Sequence, residues 1–178
     1  MALRKWNTHV SISTACKARA MAADIVNGSF KEQYKRIYDY AHELLRCNSR
    51  STIKIKVEND NDEAIFQRFY SCLKACINSF VFCRPIIGLD GCFLKGKYGG
   101  ELLSVVGRDV NDQLLPLAYA VVEVENKETW TWFLELLIGD LRGIDVCETM
   151  TFMSDQQKVC LIYVWDDDLA FVYCCKYQ

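Results

Sequence analysis

The sequence predicts an α+β / α/β fold, a helical amino-terminal segment followed by a mixed sheet in which an antiparallel meander, a helix and a parallel strand succeed one another. Three observations carry this expectation. Helix-period apolar patterns with capping signals run through residues 13–46; apolar runs joined by short Gly-bearing or Asn/Asp-bearing connections fill residues 85–125; and an amphipathic stretch separates those runs from one more short strand. At 178 residues and 51% hydrophobic, the chain is long enough to bury one ordinary core with a modest accessory segment.

The elements follow in order. STACKARAMAADIVNG (13–28) reads as a helix, with Ser13 or Thr14 able to cap it, alanines in its interior and Gly28 suited to a left-handed stop. A second helix opens on Ser29-x-x-Glu32, the spacing of a capping box, and places Phe30, Tyr34, Ile37, Tyr38, Ala41, Leu44 and Leu45 on one face. STIKIKVEND (51–60) alternates Ile53, Ile55 and Val57 with lysines, the pattern of a half-buried strand. The acidic, turn-forming NDNDE then marks the expected boundary. It divides the chain into residues 1–60, helical and ending in a short strand, and residues 61–178, the core, with an atypical tail from about residue 159.

A third helix is expected over about Glu63 to Phe80, with Phe66, Phe69, Leu73, Cys76, Ile77 and Phe80 at helical spacing. Three strands follow, PIIGLDGCFL, ELLSVVGRD and LLPLAYAVVEVE, joined by KGKYGG and VNDQ. Asn126 can cap the next helix, whose apolar side carries Trp130, Phe133, Leu134, Leu137 and Leu141, with Trp132 half-exposed. MTFMSD closes the series as a short strand. Three antiparallel strands, a helix and a strand that joins in parallel are the opening of an RNase H-like fold, here incomplete.

Composition restricts the function classes. Ten cysteines without a CxxC, and only two histidines, argue for reduced thiols in core positions rather than a structural zinc site. MALRKWNTHV lacks the apolar region of a secretory signal, and no apolar run reaches the length of a membrane span, so a soluble, intracellular protein is expected. The net charge is −2, which excludes a uniformly basic nucleic-acid binder, but its distribution is uneven. Residues 1–60 hold 11 Lys+Arg against 6 Asp+Glu, and residues 61–178 hold 10 against 17. Phosphates meet the first part easily and the second only where cations cover its carboxylates.

The chemistry-bearing candidates are two aspartates expected at strand ends. Asp90 closes an apolar run before KGKYGG, and Asp155 follows the strand after the helix. With the first strand central and the later one beside it, the two carboxylates converge although they are 65 residues apart along the chain. Two carboxylates with waters and phosphate oxygens form the incomplete oxygen cage that Mg²⁺ or Mn²⁺ takes, and paired ions support in-line displacement at phosphorus. Each aspartate alone also suits a turn or a cap; Asp155 can simply cap QQKV. Lys95 and Lys97 in KGKYGG can touch backbone phosphate or serve as soluble edges, and GKYGG lacks the ending of a P-loop. Glu125 and Glu128 fall where the third strand meets the helix, with capping or surface roles as the alternative. No small-molecule site is evident.

The stretch from RPIIGLDGCFLKGKYGG through ELLSVVGRDVNDQLLPLAYAVVEVENKETWTWFLELLIGDL resembles the opening of the catalytic core of the Mutator-like element (MULE) transposases of plant genomes, and FMSDQQK resembles that family's second-aspartate motif. The resemblance extends over about residues 10–158. It implies an RNase H-like DDE enzyme of the nucleus that cuts DNA at transposon ends with Mg²⁺ or Mn²⁺, with Asp90 and Asp155 as the first two metal-binding carboxylates. The family's third acid, a glutamate further downstream, has no match in VCLIYVWDDDLAFVYCCKYQ; Asp166, Asp167 and Asp168 there read better as a solvated turn. The expectation is therefore a truncated copy with an impaired two-metal site. The alternative is a non-catalytic DNA-binding regulator, acting on DNA or pairing with full-length transposase or with itself.

Overall fold

Ser11 opens the first helix. Its hydroxyl accepts the Thr14 N–H (3.2 Å) and its carbonyl accepts the Ala15 N–H (3.0 Å), so α1 (Ile12–Asn27) starts ahead of the cap expected at Ser13 or Thr14. The computed structural model describes residues 10–27, 30–60, 63–95, 98–141, 150–154 and 172–174. It divides into two compact units, Met1–Asp39 and Tyr40–Gln178. The helix expected to run on from residue 29 is two helices, α2 (Phe30–Lys35) and α3 (Ile37–Cys47), separated where the Arg36 N–H closes a tight turn on the Gln33 carbonyl (3.0 Å). Ser29, the expected cap, lies outside the described residues. Asn48 terminates α3, its side-chain amide donating to the Leu44 carbonyl (3.0 Å).

The second unit is built on a seven-stranded mixed sheet. Its strands are β1 (Thr52–Asp60), β2 (Glu63–Cys72), β3 (Cys83–Phe93), β4 (Glu101–Asp109), β5 (Leu114–Val122), β6 (Thr151–Ser154) and β7 (Val172–Cys174), in the order β1-β2-β5-β4-β3-β6-β7. β1 through β5 pair antiparallel, and β6 and β7 add in parallel beyond β3. The meander, the helix α5 (Lys127–Leu141) and the parallel strand are thus present in the expected order, and the strand order is compatible with the RNase H-like expectation. One rung, Thr52, Cys72, Ala118, Val105, Leu89, Ser154 and Cys174, crosses all seven strands.

Two elements differ from expectation. Residues 63–72 form β2 rather than the start of a helix; only Lys74–Phe80 are helical (α4). Arg68, Phe69, Tyr70, Ser71 and Cys72 are buried in succession because both faces of β2 are covered, and this erases the alternation that would have marked a strand. The boundary expected between residues 60 and 61 falls inside the β1–β2 hairpin. The tail also enters the sheet, through β7 against β6.

One sheet face packs on α4 and α5. Trp130, Phe133, Leu137, Tyr70, Ile87, Leu103, Val105, Leu117 and Val122 are fully buried there, and the five residues expected on the apolar side of α5 are all buried. Asn126 caps α5 as expected, accepting the Thr129 N–H (2.9 Å) while the Thr129 hydroxyl accepts the Asn126 N–H (3.0 Å). Among the described cysteines, Cys72 is buried, Cys76 and Cys83 are half-buried, and Cys16, Cys47 and Cys92 are exposed, all six free, so the expected core role holds for few of them.

The hairpin is held to this layer by polar groups. β2 pairs with β5 over four residues only. The buried Arg68 guanidinium donates to both oxygens of Glu123 (2.6–3.1 Å) and to Glu128 (2.8 Å), and lies over the Trp132 ring at 5.6 Å. At the far end of α5, Asp140 accepts the Tyr70 hydroxyl (2.7 Å) and the Thr52 hydroxyl (2.5 Å). Burial and the Asp140 carboxylate push the Tyr70 phenol well above its ordinary range, and burial pushes the Cys72 thiol up to about 12.

Two predictions follow from this layer. Arg68→Met is expected to destabilise the fold by about 1–3 kcal/mol, read as a lower urea midpoint, with Glu128 contributing little because its carboxylate is solvated. Burial pushes the Glu123 carboxyl up, but Arg68 holds it below its ordinary value overall. This part of the stability is therefore present above that ordinary value and lost as pH falls through the lowered native one, and it should vanish from the pH profile of the variant. Gly107→Ala should cost about 1–3 kcal/mol in the same assay, because an added Cβ would stand 2.8 Å from two ring carbons of Phe80.

Candidate functional site

β3 does not end on Asp90. The strand continues to Phe93, because Asp90, Gly91, Cys92 and Phe93 pair with Ser104, Leu103, Leu102 and Glu101 of β4, and the ladder carries through the glycine. The turn lies at the glycines of KGKYGG, as expected. Gly99 and Gly100 adopt φ of 66° and 93°, and the Leu94 N–H closes the hairpin on the Gly100 carbonyl (2.9 Å).

Asp90 is exposed, on the face opposite Leu89, which is buried against the helical layer. It heads a polar rung: Asp90 stands opposite Ser104, Ser104 opposite Tyr119, and Tyr119 opposite Ser71. The Ser104 hydroxyl donates to the Asp90 carbonyl (3.3 Å). Burial, together with a hydrogen bond to Tyr40, pushes the Tyr119 phenol up. Single-sequence patterns do not reveal this rung, because its members are spread over four strands.

The parallel register between β3 and β6 ends with Leu89 opposite Ser154. Asp90 and Asp155 are the next residue on each chain segment. Asp155 itself lies outside the described residues, as do Lys97, Asp166, Asp167 and Asp168. Lys95 is exposed beside the hairpin turn. Among the described residues no three His, Cys, Asp or Glu side chains gather into a metal-holding group, so Asp90 is the one predicted ligand whose surroundings are described.

Glu125 and Glu128 take other places. Glu128 is exposed and engaged with Arg68. Glu125 is buried, accepts the Trp130 indole N–H (3.2 Å), and lies so close over Gly91 that a Cβ there would be 3.0 Å from its carboxyl carbon. Consecutive strand residues point to opposite faces, so Glu125 covers the face that Asp90 does not.

Residues 86–162 match the family model of the MULE transposase domain. This match supports a MULE transposase-type protein. The matched stretch runs from Ile86 in β3 through β4, β5, α5 and β6, and contains both Asp90 and Asp155. No curated protein and no solved structure matches the chain. Among the described residues no helix is long and apolar enough to cross a membrane.

Gly91→Ala in this matched stretch should displace Glu125 and break its bond to Trp130. The expected loss is about 1–3 kcal/mol in urea unfolding, accompanied by a shift in tryptophan emission. In a Trp130→Phe background the part of the loss that belongs to the indole bond should disappear.

Proposed function

We propose that this chain acts on DNA in the nucleus through the chemistry of MULE transposases, metal-dependent cleavage and strand transfer at transposon ends, with Asp90 and Asp155 as metal ligands. The observation that carries the reading is the exposed Asp90 on a central strand of the matched domain, whose parallel pairing with β6 stops one residue short of each aspartate. An exposed carboxylate on a rigid strand suits a hard divalent cation, which keeps part of its water shell and needs few protein oxygens. Mg²⁺ or Mn²⁺, when bound, would supply charge to activate a nucleophilic oxygen and stabilise a leaving one.

For this chain, Asp90 and Asp155 would hold the ion, and Lys95 and Lys97 on the β3–β4 hairpin would attract backbone phosphate. Two carboxylates give less ligand charge than the family's three. We therefore expect this chain by itself to bind metal and DNA and to cleave weakly or not at all.

The test is calorimetric titration of Mg²⁺ and Mn²⁺ into the chain and into Asp90→Asn and Asp155→Asn, followed by nicking of a labelled duplex in the same buffers. Metal binding should fall at least about tenfold in each variant, in line with loss of a charged ligand. Equal affinity in all three proteins would overturn the metal-site reading. Salt-dependent duplex affinity with no metal requirement would favour a non-catalytic DNA-binding role.

A further inference from the structure

At the opposite edge of the sheet from β6 and β7, the loop between α3 and β1 and the start of α4 enclose an open cleft of about 490 Å³. Asn48, Arg50, Ser51, Lys74 and Asn78 line it, and no acidic residue does. Other basic side chains of this unit meet carboxylates: Arg46 pairs with Glu43, Lys56 with Glu128, Arg68 with Glu123 and Glu128, and Arg84 and Arg108 with Asp112. Arg50 and Lys74 form no ion pair with any described residue, yet they share one concavity with two amides and a hydroxyl.

The cleft is held in shape by its own backbone. The Lys74 N–H donates to the Ser51 hydroxyl (3.0 Å), the Ser51 N–H to the Asn48 carbonyl (3.2 Å), and Arg50 adopts a φ of 67°, a left-handed conformation uncommon for a non-glycine residue. Two cations without an ion pair to any described residue, with neutral donors around them and the nearby Glu43 carboxylate already bound by Arg46 and Cys47, are the chemistry of phosphate recognition.

Distance identifies which phosphate. Ser51 precedes Thr52 and Asp90 follows Leu89, and Thr52 and Leu89 lie on one rung four strand spacings apart. At about 4.8 Å per spacing the strand that borders the cleft lies roughly 19 Å across the sheet from the strand of Asp90. That is about five to six phosphates along one strand of a duplex at 3.4 Å each. We infer that this cleft binds a backbone phosphate of the same DNA duplex that reaches Asp90, an inference that rests on the DNA reading above. Arg50 and Lys74 thereby set the position of the duplex without reading its sequence.

The test is duplex affinity as a function of salt, read by fluorescence anisotropy on a labelled duplex of about 30 base pairs. The double variant Arg50→Asn, Lys74→Gln is compared with the parent chain; asparagine tolerates the left-handed backbone at position 50. Lys127→Gln, which removes one exposed charge at α5, is the control, and circular dichroism verifies that each variant is folded. Losing two phosphate contacts should lower the slope of log affinity against log salt by up to about 1.8 and weaken binding about tenfold or more at low salt, with the control near the parent. An unchanged slope in the double variant, while the parent binds duplex, would overturn the cleft assignment and leave the DNA reading standing. Inorganic phosphate binding that the double variant loses, with duplex affinity unchanged, would overturn it in favour of a small-anion site. A parent chain that binds no duplex would overturn the DNA reading itself and this inference with it.

Discussion

A guanidinium taken out of water must be fully answered by its surroundings, and Arg68 imposes that demand on the second unit. Its side chain is 3% exposed, where an uncompensated charge would cost several kcal/mol. The answer comes from Glu123, just past β5, and from Glu128, in the first turn of α5, with the Trp132 ring beneath. Satisfying this one group fixes the β2 hairpin against the turn where strand gives way to helix. Backbone pairing could not do so alone, since β2 and β5 share only four residue pairs. The position of α5 over the sheet, and hence the packing behind β3, follows from that junction.

The same junction separates two carboxylates that the fold places on either side of β3. Glu125 is drawn inward by the Trp130 indole and by the space above Gly91, and Asp90 is turned outward by the pleat of the same strand. One face of β3 therefore carries a dry, hydrogen-bonded carboxylate and the other an exposed one heading a row of hydroxyl groups. A glycine beside the exposed aspartate serves both, since any larger residue there would disturb the buried glutamate before it touched the exposed one. The MULE match covers this arrangement from β3 to β6.

How much of this was legible depends on where each signal originates. The meander, α5 and β6 were readable because their apolar patterns and turn residues are local; Asn126 capped its helix and Trp130 entered the core as the pattern required. β2 was not readable, because Arg68 through Cys72 are buried on both faces while Phe66, Phe69, Leu73 and Ile77 happen to recur at helical spacing. β7 was hidden in a stretch read as an atypical tail. At the site, Asp90 stood out as an acid in an apolar run, but the strand's continuation to Phe93 depends on its partner β4. The burial of Glu125 depends on contacts with Gly91 and Trp130 together, which a linear pattern does not encode.

Asp140 sits in the last turn of α5, where a helix dipole disfavours negative charge, and two hydroxyls repay that disadvantage. Those hydroxyls belong to Thr52 and Tyr70, 88 and 70 residues away along the chain. The strands β3, β4 and β5 meet through short hairpins, whereas these bonds close only when a long intervening segment has been brought round. Loop-closure entropy rises with separation, and contacts of this span slow the search for the native state. The end of α5 is thus secured by the most distant partners it has, and the hairpin that supplies them is the part of the sheet whose arrival carries the greatest entropic delay.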